Sequence, residues 1–299
     1  MPEHFRLVEV AAGVHAAVVD LAGAAVGNAA IVDTGDRTVV VDTFMTIAAA
    51  DELRSVATEL TGRTTFLTVN SHWHDDHVGG NTVFDDGPIV STARTAEIVA
   101  ERYPPDLAAY EREIDAAIEQ ARSGAASDDE ATQASAVKRL ETLGHVKDSI
   151  PRMRLTLPDV LVDDAIVLED ERRVEIRTLG PGHTDSDTFV WLPDDGIVIA
   201  ADLCWVELHP KMDHGHPEAW AATADALVAL GGQTVVPGHG DPSPIEGMAL
   251  MGDYLRHVAS ALAGLDPDDA VDEIPVPPGT EAWRGTARYR AGLAALHAG

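Results

Sequence analysis

The chain has 299 residues, 45% of them hydrophobic, with 21 Lys and Arg against 50 Asp and Glu and a formal net charge of −29. That length suffices for one large domain or two small ones. Acidity on this scale disfavours partners gripped through phosphates, so neither nucleic acid nor an anionic membrane is expected. No run approaches the roughly 20 apolar residues of a membrane span. Residues 1–6 lack a basic segment leading into an apolar core, and the single cysteine, Cys204, leaves no intrachain disulfide. A cytoplasmic location is the expectation, and the acidity reads as solubility or life in a salty cytoplasm.

In chain order, β-rich signals open the sequence at 14–19 and 26–33, and a turn holding Asp36 leads to a buried strand at 38–43. Helical periodicity covers 47–60, a strand at 65–69 follows, then a short strand at 88–91 and a helix over 92–101. Residues 104–144 are rich in Ala, Glu, Asp and Arg at helical spacing, with a break expected near Ser123-Gly124. They read as an inserted helical pair, either a lid or a solvated hairpin. Strand signals resume at 165–168, 173–179, 188–192 and 197–201. A helix is expected at 217–230, with Pro217 suited to its first turn. A strand at 234–236 and a long helix over about 245–262 come next. Residues 266–279 are acidic and proline-rich and precede a short terminal helix. The pattern suggests two sheets sandwiched by helices, with a main domain over 1–265 and a tail over 266–299.

The densest chemistry is His72-Trp73-His74-Asp75-Asp76-His77, directly after the 65–69 strand. Neutral imidazole and carboxylate together suit zinc or iron. The spacing lets alternate residues of an extended loop face one point and the last two face a second, so one tight loop can serve two adjacent ions. Four further ligand-type residues stand where strands end: Asp42, His183 in Gly180-Pro181-Gly182-His183-Thr184, Asp202, and His239 in Pro237-Gly238-His239-Gly240. Flanking glycines let the backbone turn sharply and bring a ring to a shared centre. Histidines of ordinary cores do not recur at strand ends beside Gly and Pro.

This set, in this order, resembles the metallo-β-lactamase superfamily over about residues 14–243. The resemblance implies an α/β fold, an αβ/βα four-layer sandwich, here with the helical pair inserted. It implies that His72, His74 and His183 hold one metal, that Asp76, His77 and His239 hold a second, and that Asp202 bridges them. Asp42 matches an early aspartate that supports the histidine loop from behind, fixing ring orientation. Ser186 stands where many relatives have glycine, a mild departure. The bridging Asp202, often cysteine or serine in true β-lactamases, points to the glyoxalase II-like and general hydrolase branches. The separate C-terminal substrate domain of glyoxalase II has no match here.

The implied cofactor is Zn2+, two per chain, with iron or manganese as substitutes. The implied activity is that of a binuclear zinc-dependent hydrolase, in which a metal-bridging hydroxide attacks a small acyl substrate: a lactam, lactone, ester or thioester. Asp76 would also orient or relay the nucleophile's proton. Two alternatives share the fold, a mononuclear iron dioxygenase of persulfide type and a catalytically silent ligand-binding module. Selectivity is expected from the segment after Asp202, where His209, Asp213, His214 and His216 could meet a small-molecule substrate or simply build a surface loop. Trp73 either floors the pocket or packs below it. Lys211 reads as an exposed charge, Cys204 as a small buried hydrophobe, and His4, His15, His145, His257 and His297 as lying outside any constellation.

Overall fold

Apolar runs buried on both faces form the central strands. A computed structural model describes residues 2–19, 23–266 and 271–298. The first half gives β1 (Arg6–Ala11), β2 (Val14–Val18), β3 (Ala29–Asp33), β4 (Thr38–Val41), α1 (Ile47–Thr61), β5 (Leu67–Val69) and the one-turn α2 (Asp75–Val78). Next come β6 (Ile89–Ser91), α3 (Ala93–Arg102), α4 (Leu107–Ala125), α5 (Glu130–Ser149) and β7 (Val160–Leu161). The second half gives β8 (Ala165–Glu169), β9 (Arg173–Thr178), β10 (Thr188–Leu192), β11 (Ile197–Trp205), α6 (Pro217–Ala229), β12 (Thr234–His239), β13 (Ser243–Pro244), α7 (Glu246–Leu262) and α8 (Thr286–Ala298). One sheet runs β1-β2-β3-β4-β5-β6-β7 and the other β13-β12-β11-β10-β9-β8.

Successive strand side chains point to opposite faces. Val39 and Val41 therefore join Ile176, Val190, Ile197 and Ile199 in the core between the sheets. Val40 turns outward to Ala49, Ala50 and Leu53 of α1. In β11, Val198 and Ala200 face Trp220 of α6 and Met251 and Leu255 of α7. The layers are thus helix, sheet, sheet, helix. α1 starts where Thr46 accepts the Ala49 N–H and ends at Gly62 with φ 71°, a left-handed cap that glycine adopts without a side-chain penalty.

Parallel pairing gathers the functional ends. Val41 lies beside Val69 in the β4–β5 pair, and Ala201 beside Pro237 in the β11–β12 pair. The carboxyl ends of both pairs reach the same edge of the sandwich.

Several boundaries differ from expectation. β1 carries no strong alternation because all six of its residues are exposed or only half-buried. The helical pair breaks at 126–129 rather than at Ser123-Gly124, because Asp129 caps α5 by accepting the Thr132 N–H at 2.8 Å; the last turn of α4 tolerates Gly124 because a helical glycine costs only about 1 kcal/mol. α5 also runs five residues beyond 144, to Ser149. Asp202 lies inside β11 rather than just after it. Part of the 266–279 connection falls outside the described residues. Beyond it, Tyr289 and Leu293 of α8 are buried in the same cluster as Trp220 and Met251. Among the described residues no helix is long and apolar enough to cross a membrane.

Candidate metal centre

β5 ends at Val69 and the chain turns at once into Ser71 and His72, then into α2, which carries Asp76 and His77. α2 is pinned by backbone and amide contacts: Thr43 N–H donates to His77 O at 2.9 Å, and Asn70 and Asn81 exchange side-chain hydrogen bonds of 2.9 and 2.8 Å. His183 arrives on the turn before β10, Asp202 from β11 and His239 from the end of β12. Two of these entries need glycine. A Cβ at Gly238 would overlap Asp202 Oδ1, and one at Gly27 would lie 2.9 Å from His77 Nε2. Asp42 and Ala201, the residue before Asp202, take φ of 64° and 45°, a region that non-glycine residues seldom enter.

All seven expected ligands come together, in two groups. His72, His74, His183 and Asp202 form one and Asp76, His77 and His239 the other; in each, one ligand-type atom per residue lies within 4.8 Å of the rest. In the first, His74 Nδ1 is 2.9 Å from His72 Nε2 and 3.1 Å from His183 Nε2. Asp202 Oδ2 lies 3.1 Å from His183 Nε2 and 4.0 Å from His72 Nε2. In the second, Asp76 Oδ2 is 3.6 Å from His77 Nε2 and 3.4 Å from His239 Nε2. Asp202 Oδ1 is 3.2 and 3.3 Å from the same two nitrogens. One carboxylate therefore offers an oxygen to each group.

These separations suit a shared cation. Ligands at 2.0–2.1 Å in a tetrahedron stand about 3.4 Å apart. The hydrogen bonds behind the rings agree. Asp42 Oδ2 accepts from His77 Nδ1 at 2.8 Å and from Ser71 Oγ at 2.8 Å, while Ser71 Oγ lies 3.0 Å from His72 Nδ1. With both Nδ1 protons so held, the Nε2 lone pairs of His72 and His77 face inward. His77 Nε2 and Asp202 Oδ1 are buried and have no hydrogen-bond partner, a costly arrangement unless something else binds there. The residues fit divalent metal with nitrogen and oxygen preference.

Charge is arranged to match. Burial holds the His72 imidazole well below its ordinary pKa, and the neighbouring His77 and His74 add to this. Burial likewise depresses His74. For His77 burial acts downward but is outweighed by Asp202, Asp76 and Asp42, which raise it well above the usual value. Burial acts upward on Asp202 and is outweighed by His239, His77 and His183, which hold it well below the carboxylate range.

The expected rim divides. His214 Nδ1 lies 2.9 Å from His74 Nε2 at the exposed edge of the centre. His209 does not reach it: the residue is buried, with Nδ1 3.2 Å from Tyr254 Oη and its ring among Tyr254, Trp283 and Tyr289. Asp213 pairs with Lys211 at 3.6 Å on the surface, and the exposed His216 precedes α6. Trp73 packs edge-on against His74, ring centres 4.4 Å apart, with Arg102 5.0 Å over its face. Cys204 is buried among the α6 and α7 side chains, and burial pushes its thiol up to about 12. A cavity of about 230 Å³ separates the helical pair from the histidine loop, with Trp73, Asp75, Arg102, Tyr110, Val146 and Met153 in its wall.

Sequence reasoning missed Asn28 and Trp205. Asn28 Nδ2 donates to Pro237 O at 2.9 Å and Gly240 O at 2.8 Å, and its N–H to Gly238 O at 2.7 Å. It ties the His239 turn to the other sheet. Trp205 stacks on His239, ring centres 3.8 Å apart at 30°. Only their three-dimensional neighbours mark these residues.

Among solved structures, the stereoselective inverting sec-alkylsulfatase Pisa1 from Pseudomonas sp. superposes with a TM-score of 0.68 at 18% identity, over 98% of this chain and 50% of that one. A metallo-beta-lactamase from Pontibacter korlensis gives 0.59 at 18% identity, over 85% of this chain and 99% of its own. A linear primary-alkylsulfatase from Pseudomonas sp. is 22% identical over 274 aligned residues, 83% of this chain and 50% of the relative. The chain thus spans about half the length of the curated relative it matches. The family model of the metallo-beta-lactamase superfamily matches residues 22–239, and with helix–sheet–sheet–helix layering on the same stretch, the chain belongs to that superfamily.

Proposed function

We propose that the chain is a hydrolase that works with two divalent cations, zinc foremost, on a small ester-like substrate. The observation that carries this is Asp202: its two oxygens face two separate groups of buried nitrogens, each at metal-ligand spacing. His72, His74 and His183 would hold one cation and Asp76, His77 and His239 the other, with Asp202 between. Cations held there supply Lewis acidity at the scissile bond and lower the pKa of a coordinated water to about 7.

The chain's own groups do the rest. Asp76 is the most open ligand, its side chain 19% exposed against 3% for Asp202 and His239. Its carboxylate is therefore the one best placed to accept a proton from an incoming nucleophile. Asp42 fixes His77 directly and His72 through Ser71, so two rings enter the reaction already oriented. Trp73 and His214 flank His74 and shape the approach.

The bond cleaved is an acyl bond of a lactam, lactone, ester or thioester in the first reading. A second reading, a sulfate ester, is favoured by the likeness to Pisa1, which extends over 98% of the chain. The deciding experiment joins metal quantification to a panel of lactams, lactones, thioesters and alkyl sulfates. Two zinc ions with turnover of an acyl substrate supports the first reading; turnover of alkyl sulfates alone supports the second. One iron per chain with no hydrolysis overturns both in favour of an oxygenase.

A further inference from the structure

His72 and His77 have hydrogen-bonded groups behind their Nδ1 atoms. His239 has none: its Nδ1 is buried without a partner. A ligand ring lacking such a partner is free to turn about its long axis unless packing stops it. Here packing does so. Trp205 is the cross-strand neighbour of His239 in the parallel β11–β12 pair, and its indole lies 3.8 Å from the imidazole, centre to centre, at 30°. Trp205 is itself 3% exposed, and its Nε1 also lacks a hydrogen-bond partner. No hydrogen bond fixes that indole either.

What lies over the indole is a cation. The Arg288 guanidinium carbon stands 5.3 Å from the centre of the Trp205 ring. Among the described residues, Arg288 makes no ion pair with a carboxylate, although the chain holds 50 of them. Its Nη1 donates instead to His209 O at 2.9 Å. The backbone is built to bring it there. Residues 207–209 pair with Arg284: Arg284 N–H donates to Glu207 O at 3.0 Å and His209 N–H to Arg284 O at 2.9 Å. Gly285 then turns with φ 92° into α8, placing Arg288 in its first turn. A guanidinium over an indole face is attracted by the negative potential of the ring, more strongly where water is excluded.

We infer that Arg288 is a positioning residue of the metal centre, which holds Trp205 against His239 and so orients the ring for the second cation. Among the described residues after 265 none belongs to either ligand group, and Arg288 links that segment to the site. This rests on the two-cation reading given above.

The test is cobalt(II) titration of the metal-free full chain, in competition with a chromophoric chelator, for wild type, Arg288→Met and Arg288→Lys. Methionine keeps an apolar stem over the indole and drops the charge. The expected result is about tenfold weaker binding of the second ion in Arg288→Met. The first ion stays within about twofold of wild type, circular dichroism of the metal-free chain shows the same fold, and Arg288→Lys recovers most of the loss. Equal weakening at both sites, or no change at either, overturns the assignment. Wild type binding two ions beside an unaltered Arg288→Met rejects the arginine's role alone. Wild type binding fewer than two rejects the two-cation reading, and this assignment with it.

Discussion

Replacing Asp42 with asparagine tests how the two rings are held. The carboxylate accepts three bonds: Ser71 N–H at 2.7 Å, Ser71 Oγ at 2.8 Å and His77 Nδ1 at 2.8 Å. Asparagine has the same shape but only one oxygen to accept with. If that oxygen stays on the Ser71 N–H, the new amide NH2 faces Ser71 Oγ and His77 Nδ1. His77 must then carry its proton on Nε2, the atom 3.2 Å from Asp202 Oδ1. A proton there blocks the lone pair that would bind metal. Turning the amide over sets its NH2 against the Ser71 N–H, two donors in buried contact. Loss of such a group behind a ligand costs about 10–100-fold in metal affinity, which is about 1.4–2.7 kcal/mol. The assay is zinc competition against a chelator of known affinity, with circular dichroism to verify an unchanged fold. Binding within about twofold of wild type would refute the argument that Asp42 sets the His77 tautomer.

Other outcomes follow from the same geometry. His183→Ala removes one of four donors in the first group; metal content falls and turnover is abolished, and full activity at normal metal content contradicts the ligand assignment. Asp76→Asn should suppress turnover far more than substrate binding, read as a drop in kcat at nearly constant KM, and a change below about threefold discredits its proton role. Asp187, buried in the turn that carries His183, accepts the Thr184 N–H at 3.0 Å and the Thr184 hydroxyl at 2.9 Å, and burial raises its carboxyl from 3.8 to about 6. Its contribution to stability is therefore full below the lower value and lost as pH rises through the higher one. In the metal-free protein, Asp187→Asn should gain in melting temperature relative to wild type as pH climbs across that window; a difference independent of pH contradicts the assignment.

The sequence was most legible where the signal is local. His72, His74, Asp76 and His77 fall within six consecutive residues, and Gly beside His183 and His239 marks sharp turns, so the residues that cluster in two groups were candidates before any coordinates. Strands such as β4 and β10 announced themselves as apolar runs because both faces are buried. β1 did not, since its residues are only partly covered. His209 looked like a rim residue because it shares a segment with His214. Its burial depends on Tyr254 and Tyr289, which lie 45 and 80 positions downstream. Asn28, Trp205 and Arg288 escaped notice for the same reason: each acts through a neighbour distant in the chain, and asparagine, tryptophan and arginine have too many ordinary uses to stand out alone.

The central claim is that imidazoles and carboxylates from separate strands converge to bind two cations. Elemental analysis of the purified full chain, after dialysis against metal-free buffer, reads this most directly when run beside Asp202→Ala. Two ions per wild-type chain, reduced in the variant with the fold intact, is the predicted result. A wild-type chain that holds no tightly bound metal, or a variant that keeps both ions, contradicts it.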